Sequence, residues 1–326
     1  MSVQSFRYRA PWFPFLSRES GGMAAGFARQ KDVKNVTPPK RVAAIHDLSG
    51  FGKCSLTEIL PILAASGIEC SALPTAVLST HTGGFSGFTY RDLTQDMPAM
   101  ARHWKNIGVR FDAIYTGFLG SEDQIQIVSD IIDLLGDEDG LVLIDPVMGD
   151  EGNLYQTYTP AMARGVARLC GKADVIVPNL TEAAFLLDEP YREGPYDHAY
   201  IQGIARRLCA LGPKKVVLTG VYYREDELGA ATLDSQTDEF SFYSQKAVPG
   251  FYHGTGDIFS SVLLCGLLNG LSLPAAAALA VDFTHNCIQR TYEAGIDQRF
   301  GVLFEQAIPR LIQRFGLFPP TDPQSR

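Results

Sequence analysis

Positive charge is scarce in this chain of 326 residues: 28 lysines and arginines stand against 36 aspartates and glutamates, a formal net charge of −8. Nucleic-acid surfaces are normally basic, so a nucleic-acid partner is not expected. A phosphorylated small molecule stays possible where main-chain amides, a few cations or a metal gather locally. Long apolar runs are lacking as well, with no stretch near the ~20 residues of a membrane span, so no membrane partner is expected. The six cysteines (Cys54, Cys70, Cys170, Cys209, Cys265 and Cys287) form no CxxC pair and no Cys/His cluster of zinc-ligand spacing. Reduced thiols in the cytoplasm are the expected setting. There is no GxxxxGK[ST] phosphate loop, and the first strand is followed by SGFGKCS rather than GxGxxG, which argues against a P-loop NTPase and a dinucleotide oxidoreductase.

What the chain does have is ordinary globular composition, 46% hydrophobic and 20% charged. Residues 1–40 are expected to be a disordered extension by composition, since MSVQSFRYRAPWFPFLSRESGG lacks the apolar segment of a signal peptide. From RVAAI (41–45) onward, short apolar runs alternate with helical patterns. The runs are CSALPTAVL (70–78), DAIYTG (112–117), LVLIDP (141–146), DVIVPN (174–179) and KVVLTG (215–220). Helical spacing covers 55–67, 91–108, 123–135, 159–170 and 181–188, and three helices close the chain at 255–269, 273–293 and 300–314. Strands separated by helices imply an α/β fold with a mostly parallel sheet covered on both faces. LGAATL and EFSFYS, parted by DSQTD, read as an antiparallel hairpin at the sheet edge. One domain over 41–315 with a flexible tail at 316–326 is expected.

Ligands of such sheets lie beyond the carboxyl ends of the strands. Those ends carry Asp47, Thr116–Gly117, Asp145, Asn179 and Thr219–Gly220. Four stretches there are candidates for chemistry. HGTGDIF places Gly254, Thr255, Gly256 and Asp257 where a helix begins, which suits an anion on free amides, although Asp257 also reads as a plain helix-start acid. IDPVMGDEGNLY groups Asp145, Asp150 and Glu151 near one strand end, acids that a magnesium ion would balance, or a solvated acidic loop. VPNLTEAAF holds Asn179 and Glu182 beside a capped helix start, and LSTHTGGF offers His81 and Thr82 in a polar turn.

Taken together, HDLSGFGKCSLT, STHTGGFSGF, IDPVMGDEG, DVIVPNLTEA, VVLTG and HGTGDIFSSVLL resemble, in this order, the pyridoxal/pyridoxamine kinases of the ribokinase-like superfamily. The resemblance spans about 41–292. It implies phosphorylation by ATP of the 5′-hydroxymethyl group of a vitamin B6 vitamer, with Mg2+ and in some members a monovalent cation, in a homodimer. By that likeness Asp257 is the base, and Gly254, Thr255 and Gly256 form the anion hole. Asp145 and Glu182 organise the metal. Asn179, Thr219, Gly220 and Asp150 lie on the nucleotide side. Asp47, His81, Thr82 and Tyr155 face the substrate, Tyr155 from the loop expected over the phosphates. The sequence departs from several relatives in having Asp47 where they carry serine, which implies a preference for pyridoxamine, and Val177 where some carry threonine. Hydroxymethylpyrimidine kinases share the DPVM-like strand end and are the nearest alternative, followed by a non-catalytic binding relative.

Overall fold

The computed structural model describes residues 38–317, so the expectations for residues 1–37 and 318–326 lie outside the described residues. Among the described residues nine strands form one sheet. In chain order they are β1 (Arg41–Phe51), β2 (Glu69–Thr80), β3 (Tyr90–Asp92), β4 (Ala113–Thr116), β5 (Leu141–Ile144), β8 (Val175–Ile176), β9 (Lys215–Val221), β10 (Glu227–Asp234) and β11 (Glu239–Lys246). A separate two-stranded ribbon, β6 (Gly149–Asp150) with β7 (Asn153–Leu154), follows β5. The helices are α1 (Leu56–Ala65), α2 (Met97–Asn106), α3 (Glu122–Leu135), α4 (Pro160–Cys170), α5 (Leu180–Leu186), α6 (His198–Cys209), α7 (Thr255–Leu268), α8 (Leu273–Ala294) and α9 (Ile308–Arg314).

The sheet order is β11-β10-β9-β8-β5-β4-β1-β2-β3, with the six strands from β9 to β2 parallel and both edges antiparallel. Side chains alternate between two cores. Val42, Ala44, Tyr115, Leu143 and Val217 pack against α1, α7, α8 and α9. Ala43, Ile45, Ile114, Ile144 and Leu218 pack against α2 to α6. Burial on both faces is why these strands read as continuous apolar runs. The chain leaves β1 for β2 on one side, then returns to lay β4, β5, β8 and β9 on the other. That reversal puts the carboxyl ends of β1, β4, β5, β8 and β9 side by side, where such sheets open a crevice.

Three boundaries differ from the sequence pattern. β1 does not stop at Ile45: it runs through HDLSGF, paired with β2 across an irregularity at which three residue steps of β2 oppose two of β1. Pro74, which lacks an N–H, sits at that irregularity. The helical spacing at 91–108 splits into β3 and the shorter α2, whose Pro98 suits a first turn. The pattern at 300–314 becomes a 3₁₀ turn (Gln298–Phe300), the left-handed Gly301 and then α9. The edge hairpin forms as β10 and β11.

Candidate active site

Helix α7 begins on Gly254 in the left-handed region, at φ 81°, and no side chain caps its first amides. The amides of Gly254, Thr255, Gly256 and Asp257 are thereby left for an anion. A side chain at Gly254 would be strained by that φ, and its Cβ would run into the Lys53 carbonyl and lie 2.8 and 3.0 Å from the Glu58 carboxyl oxygens. Thr255 is fixed by its hydroxyl, which donates to the Tyr252 carbonyl at 3.0 Å.

Asp257 reaches back across the chain. Its Oδ2 accepts the Ser55 N–H at 2.9 Å. The Ser55 hydroxyl in turn donates to Asp47 Oδ1 at 2.6 Å, and Ser49 donates to Asp47 Oδ2 at 2.8 Å. Burial pushes the Asp257 carboxyl up to about 8, the Asp145 charge adds to this, and the Ser55 N–H works against it.

The second group lies at the ends of β5 and β8. Asp145 is buried and accepts the Ser260 hydroxyl from α7 at 2.8 Å. Burial lifts its carboxyl to about 7. Glu182 is buried in the first turn of α5, where its oxygens accept the Asn179 N–H at 2.8 Å and the Met148 N–H at 3.2 Å. Burial, then the neighbouring Asp145, hold it well above the usual carboxylate range. Asn179 completes a reciprocal capping box, and its amide also donates to the Gly149 carbonyl at 2.9 Å, tying the β6–β7 ribbon to α5. Asp150 belongs to that ribbon, its carboxyl raised by burial. Tyr155 follows it, 40% exposed, its hydroxyl raised by burial first and then by Glu182, Asp150, Asp145 and Asp257. Thr219 pairs with Asn179 across β9 and β8, and Gly220 is left-handed at φ 70°.

His81 turns away from this line of acids. Its Nδ1 accepts the Gly83 N–H at 3.1 Å, so Nε2 carries the proton and donates to the Arg299 carbonyl at 2.8 Å. Burial keeps the ring neutral. Thr82 beside it is exposed. Both lie at the rim with Phe85, whose ring meets His81 at 4.9 Å. Four residues of the site escaped the sequence reading. Ser55 joins two acids, Ser260 holds Asp145, Glu58 lies under Gly254, and His46 packs beside Asp257. Ser55 and Glu58 do carry a signal, the S-x-x-E spacing of a capping box. That box does not form, because Asp257 takes the Ser55 N–H and Asp47 takes its hydroxyl.

Parallel strand ends lined with buried acids, facing an uncapped glycine-rich helix start, define a phosphotransferase of the ribokinase-like class. The model of the phosphomethylpyrimidine kinase family matches residues 63–302, and the chain belongs to that family. A pyridoxal kinase (PdxY) of Vibrio vulnificus is 30% identical over 265 residues, covering 78% of this chain and 88% of that protein. A crystal structure from Bacteroides thetaiotaomicron, assigned as a phosphomethylpyrimidine kinase and determined with pyridoxal, is 42% identical with a TM-score of 0.80, covering 84% of this chain and 96% of that one. Pyridoxal kinase from Lactobacillus plantarum is 31% identical with a TM-score of 0.78, covering 84% and 97%.

Proposed function

We propose that this kinase transfers the γ-phosphoryl group of ATP to the 5′-hydroxymethyl oxygen of pyridoxamine, pyridoxal or pyridoxine. The observation that carries the reading is Ser55, which binds the candidate base Asp257 through its N–H and the candidate ring acid Asp47 through its hydroxyl. A hydroxymethyl group beside Asp257 thus belongs to a ring whose polar edge is within reach of Asp47. The similarity to a structure determined with pyridoxal supports this.

In this reading Asp257 takes the proton of the substrate hydroxyl, and the amides at Gly254, Thr255 and Gly256 meet the charge that grows on the transferring group. Phosphoryl transfer needs chiefly positioning and charge stabilisation, which a fixed helix start supplies without rearrangement. Asp145 and Glu182 would hold Mg2+, which would neutralise phosphate charge. Their fit is that of two buried acids, each raised by burial and Glu182 further by Asp145, a repulsion that a cation relieves. Among the described residues no three His, Cys, Asp or Glu side chains cluster as ligands, so the ion would complete its shell with phosphate oxygens and water. Glu182 accepts one N–H on each oxygen and Asp145 one hydroxyl, so both carboxylates keep lone pairs for the ion or its waters. Asn179, Thr219, Gly220 and Asp150 line the nucleotide side, with Tyr155 over it, and His81 and Thr82 bound the ring pocket from its rim.

The description of the matching family favours a second reading, phosphorylation of hydroxymethylpyrimidine. An ATP-dependent panel of the three vitamers and hydroxymethylpyrimidine separates the two, with Asp257→Asn as control. Turnover of a vitamer is expected; product from hydroxymethylpyrimidine alone would establish the second reading. Asp47→Ser should lower the ratio of kcat/KM for pyridoxamine over pyridoxal, and an unchanged ratio would remove Asp47 from vitamer choice. Among the described residues no helix is long and apolar enough to cross a membrane. A single kinase domain over 41–315, a homodimer, a cytoplasmic setting and activation by a monovalent cation belong to the same proposal; sedimentation and a K+ titration of activity test the dimer and the cation.

A further inference from the structure

His46 lies at the end of the regular part of β1, one residue before Asp47, and its side chain is fully buried. Neither ring nitrogen makes a hydrogen bond of normal geometry among the described residues. A buried imidazole must carry at least one N–H, and an unpaired one is costly. The anionic group nearest to it is Asp257, whose Oδ1 stands 3.9 Å from Nδ1. This is the oxygen that Ser55 does not engage, since Ser55 donates to Oδ2.

The surroundings keep the ring in that place. Tyr115 packs edge-on against it, with centroids 4.3 Å apart, and the Tyr115 hydroxyl points to the Asp257 carbonyl at 3.4 Å. Gly117 makes the space: a Cβ there would lie 2.6 and 2.7 Å from the imidazole atoms Cε1 and Nδ1. Burial pushes the imidazole down to about 3, opposed by the nearby Tyr115 main chain as a second hydrogen-bonding group, so the ring is neutral. A neutral ring facing a carboxylate places its one proton on the nitrogen that faces the negative charge.

We propose that His46 is a positioning residue for the base: its Nδ1–H donates to Asp257 Oδ1 and, with the Ser55 N–H on Oδ2, fixes the plane in which the carboxylate meets the substrate hydroxyl. A shift of about 1 Å would bring the 3.9 Å separation within hydrogen-bond distance. The inference rests on Asp257 being the base, as proposed above. It predicts a role in turnover and none in holding the vitamer, because His46 sits behind Asp257 and is sealed from solvent.

The test has two arms. In kinetics, His46→Leu should lower kcat roughly 10- to 100-fold with KM for the vitamer within about twofold. His46→Asn, whose amide presents an N–H near the position of Nδ1, should recover most of kcat. Equal losses in the two variants, or a rise in KM at unchanged kcat, would overturn the proposal. The second arm needs neither substrate nor variant folding: at pH 9, where Asp257 is mostly ionised, 15N shifts of the His46 ring in the unliganded wild-type protein should show a protonated Nδ1 and an unprotonated Nε2. The opposite tautomer would overturn it. A wild-type protein that phosphorylates no vitamer would sink the proposed function, while the ring shifts would still decide the His46–Asp257 contact.

Discussion

As the proposed base Asp257 would accept a proton, yet burial makes it hold one. The carboxyl is pushed up to about 8, so in the free protein it is mostly protonated at pH 6 and mostly ionised at pH 9. Because kcat/KM reports the free enzyme, it should climb about tenfold per pH unit on the acid side and level off above about pH 8. Asp257→Asn should lose a factor of about 10²–10⁴ at the plateau and flatten that limb, as a pH series of initial rates would show. A limb that persists in the Asn variant would assign the titration to another group. Gly254→Ala addresses the same helix start. Its φ of 81° and the crowding by Glu58 and the Lys53 carbonyl predict about 1–3 kcal/mol lost in denaturant unfolding, with kcat falling more than KM rises.

Among the elements, α5 shows how a short helix serves two purposes. With seven residues it depends on its capping box, and the same Asn179 that accepts the Glu182 N–H also donates its amide to Gly149 of the β6–β7 ribbon. Asn179→Ala removes both contacts and should cost about 1 kcal/mol or more in stability. Asn179→Asp keeps the cap but not the donor, so it should stay close to wild type in unfolding while KM for ATP rises several-fold; equal ATP KM values would detach the ribbon from nucleotide binding. The strand ends at Asp145, Asn179 and Thr219 were legible because apolar runs stop where the sheet ends. The GTGD turn was legible because glycines precede a helical period. Ser55 was not, since its apparent box with Glu58 is a local pattern overruled by Asp257, some 200 positions along the chain. His46 was hidden because a strand residue pointing inward leaves no period to betray it. The break between β3 and α2 was missed because Tyr90–Asp92 is exposed throughout and carries no alternation.

At the scale of the molecule, buried acids set the balance between function and stability. Asp145 holds its proton up to about pH 7 when folded but only to about 4 in the unfolded chain. The folded state therefore binds more protons between these values, and stability falls as pH rises through that window. Asp145→Asn does not titrate, so its stability relative to wild type should be near even at pH 4 and higher by on the order of 4 kcal/mol at pH 8. Thermal unfolding at both pH values, without nucleotide or metal, checks this; adding Mg2+ and ADP should raise Tm in wild type and much less in the variant. A constant difference across pH would mean that Asp145 is not the group that titrates. The bond between Ser55 and Asp257 joins an early segment of the chain to a late one. Residues 235–238, which turn β10 into β11, are exposed and lie between those segments. Cutting the gene at that turn would yield two halves, one holding the proposed ring acid and metal acids, the other the proposed base, and neither half should phosphorylate a vitamer alone. Fused to two proteins that meet in a cell, such halves would turn each encounter into a measurable product.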